Sequence, residues 1–248
     1  MQNFLYNLNL RNLSICDLRN LTLEHVTRLL TLLFIDNIES IYLVGSQVDE
    51  SYSEISDIDL LMILRKKNNK IGELIYLLSF LTPVVVDIKV INKDAITSGK
   101  SIIDPCINYK RKILLGHEDT SLFKYTIKQY NDLNFGKIIQ TLEEFRIKDK
   151  RDFVLDKTRF ENMSVKKFLS LTSRLGRLTL GIKFNIVTYT KEQTMSEFKA
   201  NAHTDLSRFL EQVHKMNNHE KPNSSDFLKY YGAINLEVKG ILPDISLS

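Results

Sequence analysis

The segment 43–61, LVGSQVDESYSEISDIDLL, restricts the fold more than any other part of the chain. An apolar run stops at Gly45 and Ser46. A polar spacer follows, then Asp57, one apolar residue, and Asp59 inside a second apolar run. Side chains two apart on a strand share a face. A strand here therefore sets Asp57 and Asp59 side by side, with Ile58 and Leu60 on the opposite face. Adjacent carboxylates repel unless a cation neutralises them. The cation suited to an all-oxygen site is Mg²⁺, which takes one or two carboxylates and completes its shell with substrate phosphates.

The surrounding sequence supplies the sheet. Residues 40–44, SIYLV, read as one strand and 57–64 as a second. An apolar stretch at 71–81 reads as a helix closed by Pro83, and 84–91, VVVDIKVI, as a third strand. A further helix is expected at 21–35, apolar on so much of its surface that deep burial is expected. Helices alternating with strands argue for an α/β layer arrangement with a mixed sheet. The third strand carries one acid, Asp87. If it lies beside the second, Asp87 joins the face of Asp57 and Asp59. Three carboxylates so placed suit two metals about 3.5–4 Å apart, the separation that clamps both oxygens of a phosphoryl displacement. Gly45 lets a phosphate approach the backbone closely, N–H groups after it can point at an anion, and Ser46 adds a hydroxyl. Gly-Ser alone is an ordinary turn and Asp-x-Asp an ordinary strand end; their combination at this spacing is specific.

Beyond residue 120 the pattern turns helical, with helices expected at 137–148, 163–183, 190–200, 203–217 and 224–237 and a capping box at Thr190 and Gln193. The boundary falls near GHEDTS, giving an α/β domain at 1–119 and an all-α domain at 120–248. A length of 248 residues with 43% apolar and 26% charged residues suits such a globular pair. The formal charge of +4 permits an anionic ligand without requiring a nucleic-acid polymer. Cys16 and Cys106 lack disulfide or zinc spacing and are expected to be buried thiols in a reducing cytoplasm. No leader and no membrane span are expected. The histidines lack ligand spacing, and neither a Ser-His-Asp set, a Walker loop nor a Rossmann glycine pattern is present.

The strand, Gly-Ser, spacer, Asp-Ile-Asp and later Asp resemble the nucleotidyltransferase superfamily, whose fold is that of DNA polymerase β. Within it, YLVGSQVDESYSEISDIDLLM, the two-domain plan and ILLGHED at 113–119 look most like the streptomycin/spectinomycin type of aminoglycoside adenylyltransferase. The resemblance implies that Asp57 and Asp59 bind two Mg²⁺ ions holding ATP, and that Asp87 is both metal ligand and base toward the acceptor hydroxyl. It further implies that Gly45, Ser46 and Ser56 contact the nucleotide. Asp87 departs from the Glu usual in the streptomycin enzymes and is shorter by one methylene. The loop QVDESYSE lacks a further glycine that many relatives carry.

The helical half carries twelve Lys and Arg against four acids over 146–191. On a helical wheel Val165, Phe168, Leu169, Thr172, Leu175 and Thr179 share one face, and Lys166, Lys167, Arg174 and Arg177 lie on the other. The ordinary reading is a solvated charged face, and the functional reading sets part of it toward a triphosphate. By resemblance, SLTSRLG matches a family segment with a central Arg at Arg174. VTYTKEQ matches one whose Lys touches ATP at Lys191, across a longer gap than in the streptomycin enzymes, and DFLKYY one with an ATP-contacting Tyr at Tyr230.

The leading expectation is therefore transfer of AMP, or another nucleoside monophosphate, from ATP or another NTP to a small-molecule hydroxyl, with pyrophosphate release. An aminoglycoside is the favoured acceptor, with Glu143, Glu144 and Asp152 as candidate acids for its charge. An RNA 3′ end or a protein side chain is the alternative acceptor, and a non-catalytic nucleotide-binding module is the alternative class.

Overall fold

The computed structural model describes residues 14–48, 57–68, 70–105, 107, 110–201, 204–217 and 219–248. Cys106, His203 and Ser56 lie outside them. The chain divides into two compact units, Met1–Lys124 and Tyr125–Ser248.

In the first unit, helix α1 (Ile15–Phe34) begins earlier than its apolar run suggests. Ser14 accepts from the Asp17 N–H while the Asp17 carboxylate accepts from the Ser14 N–H, closing a capping box. Deep burial was expected of this helix. Instead only Arg19, Thr22, Val26 and Leu30 are buried, and Leu32 and Leu33 face outward at 71% and 55% exposure. A helix on one face of a sheet buries one stripe, however apolar its other sides. Cys16, expected inside, is exposed for the same reason.

Strand β1 (Ile38–Val44) leads through a 3₁₀ turn (Gly45–Gln47), and β2 (Ile58–Leu64) follows. Helix α2 (Ile71–Leu81), β3 (Val86–Asn92) and the short α3 (Lys93–Thr97) come next, then β4 (Arg111–Gly116). The sheet order is β3-β2-β1-β4, with β2 and β3 parallel and the other pairs antiparallel. The expected mixed sheet is present. Strand β4 overlaps the segment 113–119 singled out only as Leu-x-Gly.

Alternation along β2 sorts the sheet into two cores. Ile58, Leu60, Met62 and Leu64 join Val26 and Leu30 of α1 and Ile71 and Leu78 of α2. Leu61 and Ile63 join Tyr42, Val44, Ile96 and Phe123 on the other face. Beyond the end of this second core, the same face continues to Asp59 and Asp87. The opposite end of the sheet is pinned by Glu39, which pairs with Lys93 at 2.5 Å and Arg65 at 3.0 Å. Hydrogen bonds from Lys93 and then Arg65 hold the Glu39 carboxyl below its usual range.

The second unit is helical, with α4 (Ile127–Glu143), α5 (Lys157–Glu161), α6 (Val165–Lys183), α7 (Lys191–Asn201), α8 (Thr204–His214) and α9 (Ser224–Glu237). A two-stranded parallel ribbon, β5 (Phe153–Leu155) with β6 (Ile245–Leu247), adds to the all-helical expectation. Helix α4 starts well before the expected 137, at a capping box of Thr126 and Gln129. Helix α6 packs against α4, α7, α8 and α9. Its second half is buried almost all round, not on one face as the helical wheel indicated. At α7, Thr190 Oγ1 accepts from the Gln193 N–H, while Gln193 Oε1 accepts from Tyr189, one residue before the reciprocal position of a capping box. No helix among the described residues is long and apolar enough to cross a membrane.

The layering predicts a contrast in chemical denaturation. Leu60→Ala, at a fully buried site, should destabilise the first unit by about 2–5 kcal/mol. Leu32→Ala, on the exposed side of α1, should change stability by less than about 0.5 kcal/mol.

Candidate active site

Strand register assembles the site. In the parallel β2–β3 ladder Asp59 lies opposite Asp87, so the two side chains project from the same face of neighbouring strands. The ladder continues one step earlier, where the Ile58 N–H donates to the Val85 carbonyl at 2.8 Å. Asp57 stands immediately before β2, two residues from Asp59. The burial pattern follows: Ile58 and Leu60 are sealed, Asp57 and Asp59 are half-buried, and Asp87 is exposed. The acids thus mark the edge where an apolar face opens to solvent.

On its other side Asp59 lies opposite Val44, the last residue of β1. Gly45 then turns the chain with φ +75°, a conformation that favours glycine. A Cβ placed on Gly45 would lie 2.8 Å from Asp59 Oδ2. Glycine is required here twice, once by its dihedral and once by the carboxylate packed against it. The turn closes with the Val48 N–H donating to the Gly45 carbonyl at 3.2 Å. Gly45, Asp57, Asp59 and Asp87 therefore belong to one end of one sheet. Ser46 contributes its backbone to the turn; its side chain and the whole of Ser56 lie outside the described residues.

The acids present are oxygen donors, which suit a hard cation. Among the described residues no three His, Cys, Asp or Glu converge tightly enough to hold a metal by themselves. The sequence reading did not call for a complete protein cage. Mg²⁺ needs only one or two carboxylates when substrate phosphates complete its shell, so the donor set fits a cation that arrives with a nucleotide.

Two buried arginines are prominent, Arg19, which sequence reasoning passed over, and Arg177, which it placed on a charged face. Arg19, on the buried stripe of α1, is fully buried and donates to Gln47 and to the Asp57 carbonyl. Its sequence signal was its place in line with Thr22, Val26 and Leu30. Arg177, assigned by the helical wheel to a solvated face, is only 6% exposed and donates through Nε to Thr194 Oγ1 of α7 at 3.2 Å. That threonine also bonds the Thr188 hydroxyl at 2.7 Å, and Tyr130 donates to the Thr188 carbonyl at 3.2 Å. These bonds fix the connection between α6 and α7.

The sequence-predicted residues of the second unit fare differently. Arg174 is half-buried on α6 and donates to Asn134 Oδ1 of α4 at 3.1 Å. Lys191 is the first residue of α7 and is also half-buried. Tyr230 is 1% exposed, packs against Phe209 and donates to the Thr172 carbonyl at 3.3 Å. Burial pushes its phenol well above the usual range. The basic segment is also less free than its composition indicated, because Arg146 pairs with Glu143, Lys167 with Glu144 and Lys183 with Glu237.

A family model described as a nucleotidyltransferase domain matches residues 28–160. Among solved structures, the chain is similar to the crystal structure of spectinomycin adenyltransferase AAD(9) from Enterococcus faecialis with ATP and spectinomycin. The TM-score is 0.59 at 11% sequence identity, over 88% of this chain and 98% of that one. At this identity the likeness is one of fold. No curated protein matches the sequence.

The contact between Gly45 and Asp59 yields a prediction independent of any ligand. Gly45→Ala must adopt a strained dihedral and displace the Asp59 carboxylate. It should lower the stability of the first unit by about 1–3 kcal/mol in denaturant titrations.

Proposed function

Because the chain belongs to the nucleotidyltransferase family, we propose that it transfers AMP from ATP to a hydroxyl of a small molecule of aminoglycoside type and releases pyrophosphate. The observation that carries the reading is the register of Asp59 against Asp87 beside the Gly45 turn. The fold shared with the spectinomycin enzyme gives the acceptor class its support.

In this reading the acceptor oxygen attacks the α-phosphorus in line, the bond from that phosphorus to the β-bridging oxygen breaks, and pyrophosphate leaves with the bonding pair. Asp87 takes the acceptor's proton. Its exposure suits a base that must meet a second substrate, whereas the half-buried Asp57 and Asp59 suit cation binding. Bound divalent cations, two in the full form of the proposal, supply charge neutralisation for the triphosphate and are held by Asp57, Asp59 and Asp87. The turn at Gly45 and Ser46 offers main-chain N–H groups to a phosphate, with Ser56 assigned to the same nucleotide. Catalysis is then mainly positioning and electrostatics.

Arg174 and Lys191, each half-buried, keep in this proposal the nucleotide role that the family resemblance gives them. Tyr230, being buried, is given no part in it. The twelve Lys and Arg of segment 146–191 give an RNA acceptor slight support. The pairing of Arg146, Lys167 and Lys183 with acids and the burial of Arg177 weaken that reading. The same pairs engage Glu143 and Glu144, two acids considered for binding a polycationic drug.

Incubating the protein with ATP labelled at the α-phosphate and a panel of aminoglycosides, total tRNA and cell proteins should label an aminoglycoside, with Mg²⁺-dependent pyrophosphate release. Asp57→Asn and Asp59→Asn should abolish that release with the circular-dichroism spectrum unchanged. Asp87→Asn, lacking the base, should slow it by about 10²–10⁴-fold. Unchanged turnover in Asp59→Asn refutes the metal assignment, and label confined to tRNA refutes the small-molecule acceptor.

A further inference from the structure

Arg19 occupies the stripe of α1 that faces the sheet, in line with Thr22, Val26 and Leu30, and none of its surface reaches solvent. An apolar residue would fill such a stripe without the desolvation penalty of a guanidinium. The fork of Arg19 instead reaches two separate segments of the site. Nε and Nη2 donate to Gln47 Oε1 at 3.0 and 2.6 Å, and Nη2 also donates to the Asp57 carbonyl at 3.1 Å. Gln47 ends the turn that Gly45 opens, and Asp57 precedes the strand that carries Asp59. The helix holding Arg19 is anchored by Val26 and Leu30 on the face of the sheet opposite the acids.

We propose that Arg19 is the positioning residue of the nucleotide–metal site. It ties the Gly45–Gln47 turn and the Asp57 backbone to one rigid helix, so the turn's N–H groups and the carboxylates stay in register for a single ligand. The proposal rests on the nucleotidyltransferase reading of Asp57, Asp59 and Gly45. It does not require Arg19 to touch substrate. The guanidinium suits the task because its planar fork serves acceptors in two segments at once, with Gln47 taking two of its donors. A lysine ammonium on a flexible stem fixes neither angle. Displacements of about 1 Å in positioning groups are worth on the order of 10²-fold in enzyme sites, so loosening this tie should be visible in ligand affinity.

The test uses the full chain as wild type, Gln47→Leu, Arg19→Lys and a control, Thr22→Val. Thr22 is a neighbouring buried residue whose hydroxyl donates only to the Leu18 carbonyl of its own helix, at 2.7 Å. Three quantities are read: the melting temperature, amide hydrogen exchange over 44–48 and 57–60, and calorimetric binding of Mg·ATP. Gln47→Leu and Arg19→Lys should lose exchange protection in both segments together and bind Mg·ATP about tenfold or more weakly. Thr22→Val should keep wild-type values of both, even where its melting temperature falls.

Wild-type Mg·ATP affinity in Gln47→Leu and Arg19→Lys overturns the proposal and leaves the reading of the site intact. So does a loss that merely tracks melting temperature and appears equally in Thr22→Val. A wild-type chain that binds no Mg·ATP overturns the reading of the site itself, before any variant is compared, and the proposed role of Arg19 falls with it.

Discussion

Two carboxylates facing each other across a parallel strand pair are the constraint on which the rest of the site depends. Asp59 and Asp87 share a row of the sheet and a face of it, at the point where the apolar cover of that face ends. Like charges at that spacing repel, and the repulsion is relieved by a cation, by protonation or by solvent. The proposed reading takes the cation. Solvent reaches the acids, a glycine lies against one of them where a side chain would intrude, and main-chain donors lie just beyond it. Bulk there would be incompatible with the packing observed at Asp59.

The same row explains why the site is built on a sheet rather than on loops. β1, β2 and β3 each contribute one position at the same level: Val44 with Gly45 next to it, Asp59, and Asp87. Strand pairing fixes their separations through main-chain hydrogen bonds, leaving the side chains little backbone motion to absorb. Asp57 and the Gly45–Gln47 turn lie outside the ladder and need another support. Arg19 provides it from a helix packed on the sheet's other face. Rigid elements thus carry the chemistry directly, and a buried side chain extends that rigidity to the residues beyond the strands.

Much of the first unit was legible because its signals are local. Gly45 and Pro83 mark chain breaks, and α2 was read at its observed bounds. The alternation of Ile58, Asp59 and Leu60 gives away which face is acidic. What was not legible depends on partners distant in sequence. Parallel pairing of β2 with β3 had to be assumed, since the pattern of VVVDIKVI does not choose its neighbour. Strand β4 escaped notice because an edge strand, half exposed and opening with Arg and Lys, lacks the apolar signature of a buried one. Arg19 reads as a surface residue until the turn it supports is placed. In the second unit, the helical wheel treated α6 as a surface helix, although four other helices surround it. Arg177 was misplaced for that reason, and the resemblance that nominated Tyr230 gave no weight to its burial.

The central claim is that Asp59 and Asp87 act together on one divalent cation carried by a nucleotide. Crystals soaked with Mn²⁺ and a non-hydrolysable ATP analogue test it most directly, because manganese is located by its anomalous scattering. A peak is expected about 2.0–2.3 Å from carboxylate oxygens of both Asp59 and Asp87, shared with phosphate oxygens. A peak away from these carboxylates, or a bound nucleotide whose phosphates lie clear of the Gly45 turn, would contradict it.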